Sequence, residues 1–285
     1  MKSMKLRSLL GATAVTALLL TGGSVQAQIA NTKHNLGSTS AATNNRATNV
    51  QDLCVFCHTP HGSDTSASVP LWNRALDGTP GTTYTTYDQL GTSTLDCQVL
   101  AVGSVSLACL SCHDGTQALD SVINAPGSGG FTAGGARIAN SGLQGGTVDA
   151  ATGRLQAGVI TNLGTDLQDD HPVGIQYGGF TPTGATAQID ADFVVPATAT
   201  RTLADGTTTN IWWVDTDGVA DGQGGTLGGT AAREKQDMQL YTRLNGAAEQ
   251  PFVECASCHD PHIDRTTFLR IDNTGSAVCL ACHTK

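Results

Sequence analysis

The sequence predicts a mostly irregular fold with few short helices and some short β-strands. Of the 285 residues, 39% are hydrophobic, 14% are charged and 34 are glycine. Ordinary globular chains carry about 25% charged and about 45–50% apolar residues, so small neutral residues that favour turns replace charged ones here. Apolar side chains are therefore too few for an ordinary core, and we expect another component to fill the interior.

An export signal is predicted at residues 1–27, where Lys2, Lys5 and Arg7 precede the apolar stretch Leu9–Leu20. No other apolar run approaches the roughly 18–20 residues that span a bilayer. No cysteine lies near the predicted cleavage site, so we expect an exported protein with no membrane anchor. The net charge of −9 argues against nucleic acid or an anionic membrane as a partner.

Eight of the nine cysteines fall in four copies of the pattern Cys-x-x-Cys-His. The copies are Cys54, Cys57 and His58; Cys109, Cys112 and His113; Cys255, Cys258 and His259; and Cys279, Cys282 and His283. This pattern attaches c-type haem: the two thiols form thioethers with the porphyrin, and the histidine ligates the iron from the proximal side. Disulfides do not require this spacing, and zinc sites do not require a histidine after each cysteine pair. The sequence therefore predicts four covalently attached c-type haems.

Four further histidines match the four sixth coordination positions of the irons. They are His34, His61, His171 and His262. Met238 is the only methionine after the predicted signal, so at most one iron has a methionine ligand. The simplest assignment is four bis-histidine irons, which have no open position. We therefore expect an electron-transfer protein and not an enzyme.

His61 and His262 occupy matching elements, CHTPH and CHDPH. A three-residue tether is too short for the second histidine to reach across the haem held by the first. Each is therefore expected to ligate a different haem that lies nearly in contact with the first. We hypothesise that His61 serves the haem bound at Cys109, and that His262 serves the haem bound at Cys279.

The four motifs fall in two pairs that divide the chain. We predict an N-terminal haem pair with a ligand arm at 28–125, a Gly/Thr-rich insert with short strands at 126–249, and a C-terminal haem pair at 250–285. The ninth cysteine, Cys97, is interpreted as an inert thiol.

Local patterns place the few regular elements. Short helices are expected before the haem motifs, at 106–110 and 274–280. Apolar runs separated by Gly, Asp and Thr predict strands at 193–195 and 211–214. A longer helix is predicted at 232–245.

The sequence segments in and around the motifs resemble those of the paired-CxxCH multihaem c-type cytochromes of metal-reducing bacteria. These segments are LCVFCHTPHG, PLWNR, LACLSCHDGT, DDHPVG, VECASCHDPH, FLR and AVCLACHTK. The resemblance covers most of residues 31–115, 166–177 and 250–285. With a signal peptide, four motifs and no lipid anchor, the chain is similar to the OmcE-type extracellular tetrahaem cytochromes, which form filaments (nanowires).

The resemblance implies an extracellular or cell-surface homopolymer that passes electrons to partner cytochromes or extracellular acceptors. It also implies His58, His113, His259 and His283 as proximal ligands, with His61, His171 and His262 among the distal ones. His34 lies on a polar arm before the first motif. We hypothesise that it is donated to a neighbouring subunit.

Two other functions remain open. One is a monomeric periplasmic tetrahaem electron shuttle, whose four haems would be ligated wholly within one chain. The other is a multihaem reductase in which one iron is five-coordinate.

Overall fold

Short helices, short antiparallel strands and loops make up this computed structural model, which confirms the predicted mostly irregular fold. It describes residues 28–76, 84–91, 95, 97–127, 130–169, 172–179, 190–216 and 233–284. The predicted signal at 1–27 and His171 lie outside the described residues. Among the helices that are described, none combines the length and the apolar character needed to span a membrane.

The α-helices coincide with haem motifs. They are α1 (Ser104–His113), α2 (Cys255–Cys258) and α3 (Ala277–Cys282), and the short helices expected at 106–110 and 274–280 are thereby confirmed. Reciprocal capping starts α2, because the Glu254 carboxylate accepts from the backbone of Ser257 while the Ser257 hydroxyl accepts the Glu254 N–H (3.0 Å). Single 3-10 turns lie at Gln28–Asn31, Tyr87–Leu90, Tyr177–Gly179, Thr266–Phe268 and Thr274–Ser276.

Two small antiparallel pairs and one larger sheet contain the strands. The small pairs join β1 (Arg46–Ala47) to β4 (Leu143–Gln144), and β2 (Ser121–Asn124) to β3 (Phe131–Arg137). The sheet has the order β5-β9-β8-β7-β6 with every pair antiparallel. Its strands are β5 (Ile175–Gln176), β6 (Ala197–Thr202), β7 (Thr208–Val214), β8 (Met238–Asn245) and β9 (Ala248–Val253).

One predicted strand is confirmed, and two other predicted elements differ from the structure. The strand at 211–214 is part of β7. The strand at 193–195 is reduced to one bridge, between Phe193 and His283. The helix predicted at 232–245 is wrong, because residues from Met238 onward form β8, which pairs with β7 on one side and β9 on the other. The β8–β9 hairpin turns at Gly246, whose φ of +62° suits glycine.

Three apolar clusters in the described residues pack against haem motifs, and the two larger ones border the second thiol of every motif. The first contains Leu36, Ala47, Val50, Phe56, Leu119, Val122, Ile138, Leu143, Val148 and Leu155, and the second contains Tyr177, Trp212, Val214, Met238 and Leu240. Cys57 and Cys112 border the first core, whereas Cys258 and Cys282 border the second. The second thiol of each motif therefore lies at the edge of a core.

Trp213 in β7 is only 1% exposed and is among the largest fully buried side chains. We expect Trp213→Ala to lower the free energy of unfolding by about 3–5 kcal/mol, because truncation leaves a cavity in the sheet. Urea titration followed by circular dichroism measures the change. Leu244→Ala in β8 is the control, since Leu244 is 67% exposed and surface changes stay within about 0.5 kcal/mol. A loss no larger than that of the control would contradict the prediction.

Candidate haem-binding sites

The haem motifs form helical turns that end at the histidine. In the first motif, the His58 N–H donates to the Cys54 carbonyl at 2.7 Å, and the corresponding bonds of the third and fourth motifs are 3.1 and 2.9 Å long. The second motif is the end of α1. Residues three apart share one side of a helical turn, so both thiols of a motif face the same way, as two thioether bonds to one porphyrin require. The eight motif cysteines form no disulfides.

Three motif histidines have Nδ1 within hydrogen-bond distance of a backbone carbonyl. These contacts join His58 to Pro70 (2.8 Å), His113 to Thr161 (2.8 Å) and His259 to Thr267 (2.7 Å). A carbonyl oxygen only accepts, so Nδ1 carries the proton and the Nε2 lone pair is left for a metal. A metal-ligating histidine is held in this way, and the three residues therefore fit the proximal role.

Two histidine pairs face each other across a gap of haem-iron size. His58 and His262 have ring centroids 6.2 Å apart with ring planes 18° apart, whereas His34 and His113 are 6.1 Å apart with planes at 78°. Two metal–nitrogen bonds of about 2 Å, plus the path from each nitrogen to its ring centre, give about 6 Å. The separation in both pairs would therefore suit two imidazoles that ligate one iron. Within the described residues, no three or more His, Cys, Asp or Glu side chains converge on a site for a free metal ion.

His34 is held by residues from the distant third-motif region. Its ring stacks on Phe268 at 4.2 Å between centroids, and its Nδ1 lies 3.4 Å from the carbonyl oxygen of Pro261. Burial, together with the nearby His113, lowers the pKa of His34 to about 4, although the Pro261 carbonyl acts in the opposite direction. The ring is therefore neutral at neutral pH, which is the form that ligates iron.

His262 is held by a carboxylate from its own element. Asp260 Oδ1 accepts the backbone N–H of His262 at 2.9 Å and lies 3.4 Å from its Nδ1. The other oxygen of Asp260 lies 3.7 Å from Lys235 Nζ. Burial alone would raise the pKa of Asp260, but hydrogen bonds from His262 and the charges of Arg270 and Lys235 hold it well below its ordinary value. The carboxylate beside His262 is therefore ionised.

The segments after the first and third motifs share one backbone arrangement. Thr59 donates its N–H to the Leu71 carbonyl, and Asp260 donates its N–H to the Phe268 carbonyl, both at 2.8 Å. Leu71 and Phe268 have φ of +56° and +58°, a left-handed conformation that is unusual for bulky residues. Each segment also forms one antiparallel β-bridge, from His58 to Trp72 in the first and from His259 to Leu269 in the other. In each segment the next residue donates its backbone N–H to the carbonyl of the second motif cysteine at 2.9 Å, Asn73 to Cys57 and Arg270 to Cys258.

This structural repeat pairs His61 with His262 and Leu71 with Phe268. The two members of the second copy, His262 and Phe268, cover His58 and His34. The two members of the first copy do not: His61 is exposed, and Leu71 is 49% exposed.

Cysteine thiols of motifs that are consecutive in the sequence lie near each other in the structure. Neighbouring thiols are Cys57 and Cys112, Cys109 and Cys255, and Cys258 and Cys282. At the middle contact, the Ser106 hydroxyl donates to the buried Glu254 carboxylate at 2.5 Å and accepts the Cys255 N–H at 3.1 Å. Burial raises the pKa of Glu254, although Ser106 and Arg243, 3.1 Å away, oppose the shift. These bonds join α1 to α2 and thereby join the two motif pairs.

Two hypothesised pairings differ from the contacts in the structure. His262 lies against His58 and not beside the fourth motif, because the α1–α2 contact brings the third motif onto the N-terminal pair. His34, and not His61, is the ring that faces His113. His34 meets this partner within its own chain, and donation of a distal ligand to a neighbouring subunit stays a prediction.

The remaining predicted ligands are less enclosed. His283 is exposed and packs against the Phe193 ring at 4.5 Å between centroids. The His61 carbonyl accepts from Asn124 Nδ2 at 2.9 Å, which fixes its backbone while the residue stays exposed. The sequence analysis did not predict that Asp260 contacts His262 or that Phe268 contacts His34. Both residues nevertheless lie in segments that carry the family resemblance, VECASCHDPH and FLR.

A family model for the doubled CxxCH motif matches residues 249–285, which contain the third and fourth motifs. None of the curated proteins compared with the chain matches it. The motifs, their geometry and this match support a multihaem c-type cytochrome, a class that acts in electron transfer. Covalent attachment of c-type haem takes place outside the bacterial cytoplasm, so the motif also implies export.

Proposed function

We propose that the chain carries four bis-histidine c-type haems and relays single electrons outside the cell, without turning over a substrate. The facing pairs His34–His113 and His58–His262 carry this proposal, at 6.1 and 6.2 Å between ring centroids. Bound haem iron supplies one-electron redox chemistry, and two imidazole ligands leave it no open position. The motif thiols would attach the cofactor, and contacts at Nδ1 orient the rings of His34, His58, His113, His259 and His262.

The contacts between motifs support a relay along the whole chain. Thiols of the first and second, second and third, and third and fourth motifs are neighbours. Neighbouring attachment points would hold successive porphyrins close together. Electrons would therefore pass through the molecule in motif order, and one chain would be a complete segment of a conductor.

We further propose that copies of the chain assemble head to tail into a filament. Within one chain, the second copy of the structural repeat places His262 and Phe268 over the N-terminal pair. The first copy presents His61 and Leu71 in the same backbone arrangement, but both are exposed. If the same contact forms between chains, His61 and Leu71 cover the C-terminal pair of a neighbour. Such a heterologous contact does not close on itself and produces a filament.

The order of histidines in the two copies of the repeat also suggests which distal histidine serves the third and fourth motifs. His262 faces His58 of the first motif in its pair, so His61 would face His259 of a neighbouring subunit. His34 precedes the first pair and faces His113 of the second motif. His171 precedes the other pair, so by the same register it would serve His283.

We expect His61→Ala to abolish filaments while leaving the individual chains folded. Electron microscopy of haem-containing material sheared from expressing cells measures assembly, and electron paramagnetic resonance counts high-spin iron. The wild-type chain should give filaments, and His61→Ala should give discrete particles with one high-spin haem per chain. Thr65→Ala, an exposed change in the same loop, is the matched control and should assemble normally.

Two outcomes would overturn the filament. Normal filaments from His61→Ala would remove the proposed contact. Discrete wild-type particles with four low-spin haems would favour a monomeric periplasmic shuttle, because every ligand would then come from one chain.

A further inference from the structure

The two CHxPH elements differ at the residue after the proximal histidine, and the structure gives the two residues different roles. In the first element, the Thr59 hydroxyl donates to the backbone carbonyl of His61 at 3.1 Å. In the third-motif element, Asp260 directs an oxygen at the imidazole of His262, 3.4 Å from Nδ1. A carboxylate therefore faces one distal imidazole, whereas the equivalent hydroxyl bonds to the main chain.

Asp260 also stands apart from the other groups that meet a histidine Nδ1. The remaining Nδ1 contacts of haem-ligand candidates in the described residues are all to backbone carbonyls, at His34, His58, His113 and His259. A carboxylate is a stronger acceptor than a carbonyl, and its bond to Nδ1–H raises the basicity of a metal-bound imidazole. Asp260 is only 7% exposed, so its charge acts with little screening by water.

We propose that Asp260 is a positioning residue that lowers the reduction potential of the haem bound at Cys54 and Cys57, by making His262 a stronger donor to its iron. The proposal rests on the proposed pairing of His58 with His262. Hydrogen bonds and ligand identity are the levers by which a protein sets haem potential, and an electron-rich ligand stabilises the oxidised iron. Asp260 would thereby give this haem a lower reduction potential than it would have without the carboxylate.

The test compares Asp260→Asn with Asp264→Asn in the haem-loaded protein. Asn keeps an acceptor for the His262 N–H but loses the charge, and Asp264 is an exposed carboxylate on the same loop. Spectroelectrochemical titration should show one of the four midpoint potentials shifted upward in Asp260→Asn only. The low-spin resonance of the same haem should change its g values, because the donor strength of one axial ring has changed. Potentials identical to those of Asp264→Asn, or an equal shift of all four haems, would overturn the proposal.

A second comparison separates this inference from the ligand assignment beneath it. In a His262→Ala background, Asp260→Asn should have no further effect on any midpoint potential, because the ring through which it acts is gone. A persisting shift would overturn the role of Asp260 while the pairing stands. Four low-spin haems in His262→Ala alone would overturn the pairing itself, and the inference with it.

Discussion

His262→Ala is expected to leave one haem without its sixth ligand, and His34→Ala is expected to do the same to a second haem. Each ring faces a proximal histidine at the separation of two ligands on one iron, 6.2 Å for His262 and 6.1 Å for His34. A ferrous iron with an open position binds carbon monoxide. Each variant should therefore bind about one carbon monoxide per chain after reduction, and the double variant about two, whereas the parent binds almost none.

Neighbouring exposed residues provide the matched controls. Lys33→Ala and Asp264→Ala change side chains next to the two ligands without removing an imidazole, and both should bind as little carbon monoxide as the parent. Binding by His262→Ala or His34→Ala at the level of its own control would refute the corresponding pair. Electron paramagnetic resonance of the oxidised proteins gives an independent count, since each lost ligand converts one low-spin signal to high spin.

Arg74→Ala is expected to be the most destabilising single change near the first pair. Arg74 is fully buried and donates five hydrogen bonds, to Ala118, Leu119, Ser121 and two oxygens of Ser111, at 2.7–3.0 Å. Four of these acceptors are backbone carbonyls around α1 and β2, and truncation removes the Arg74 donor from each of them. We expect the free energy of unfolding to fall by at least about 3 kcal/mol, measured by urea titration.

Arg74→Lys tests the reason for that loss. Lysine keeps the charge but lacks the planar fork that reaches several acceptors at once, so it should recover only a small part of the stability. Arg154→Ala is the control for an exposed arginine and should change stability by less than about 0.5 kcal/mol. Full recovery by lysine would show that charge, and not hydrogen-bond geometry, makes Arg74 important.

The haem motifs and their short helices were predictable because a fixed spacing dictates both chemistry and local geometry. The helical turn at each motif follows from the need to place two thiols on one side. The segment 232–245 was mispredicted because its apolar spacing suits either element, and only pairing with β7 and β9 decides for a strand at Met238–Asn245.

The number of histidines outside the motifs can be counted in the sequence, but their partners cannot be predicted from it. Four such histidines accompany four motifs, whereas the tether in CHDPH predicts only that His262 does not serve the haem of its own motif. The choice of His58 depends on the packing of α1 against α2 through Ser106 and Glu254. No sequence pattern encodes that contact, because its two sides are far apart in the chain.

The facing of His58 and His262 has a consequence for the segment between them. Once both rings bind one iron, the two ends of the chain are cross-linked, much as a disulfide would link them, and the insert at 126–249 becomes part of a closed loop. The entropy of closing such a loop grows only with the logarithm of its length, so doubling the loop costs only about 0.6 kcal/mol. The loops between the strands of the insert could therefore lengthen or shorten at little entropic cost, whereas its buried strand residues could not change freely.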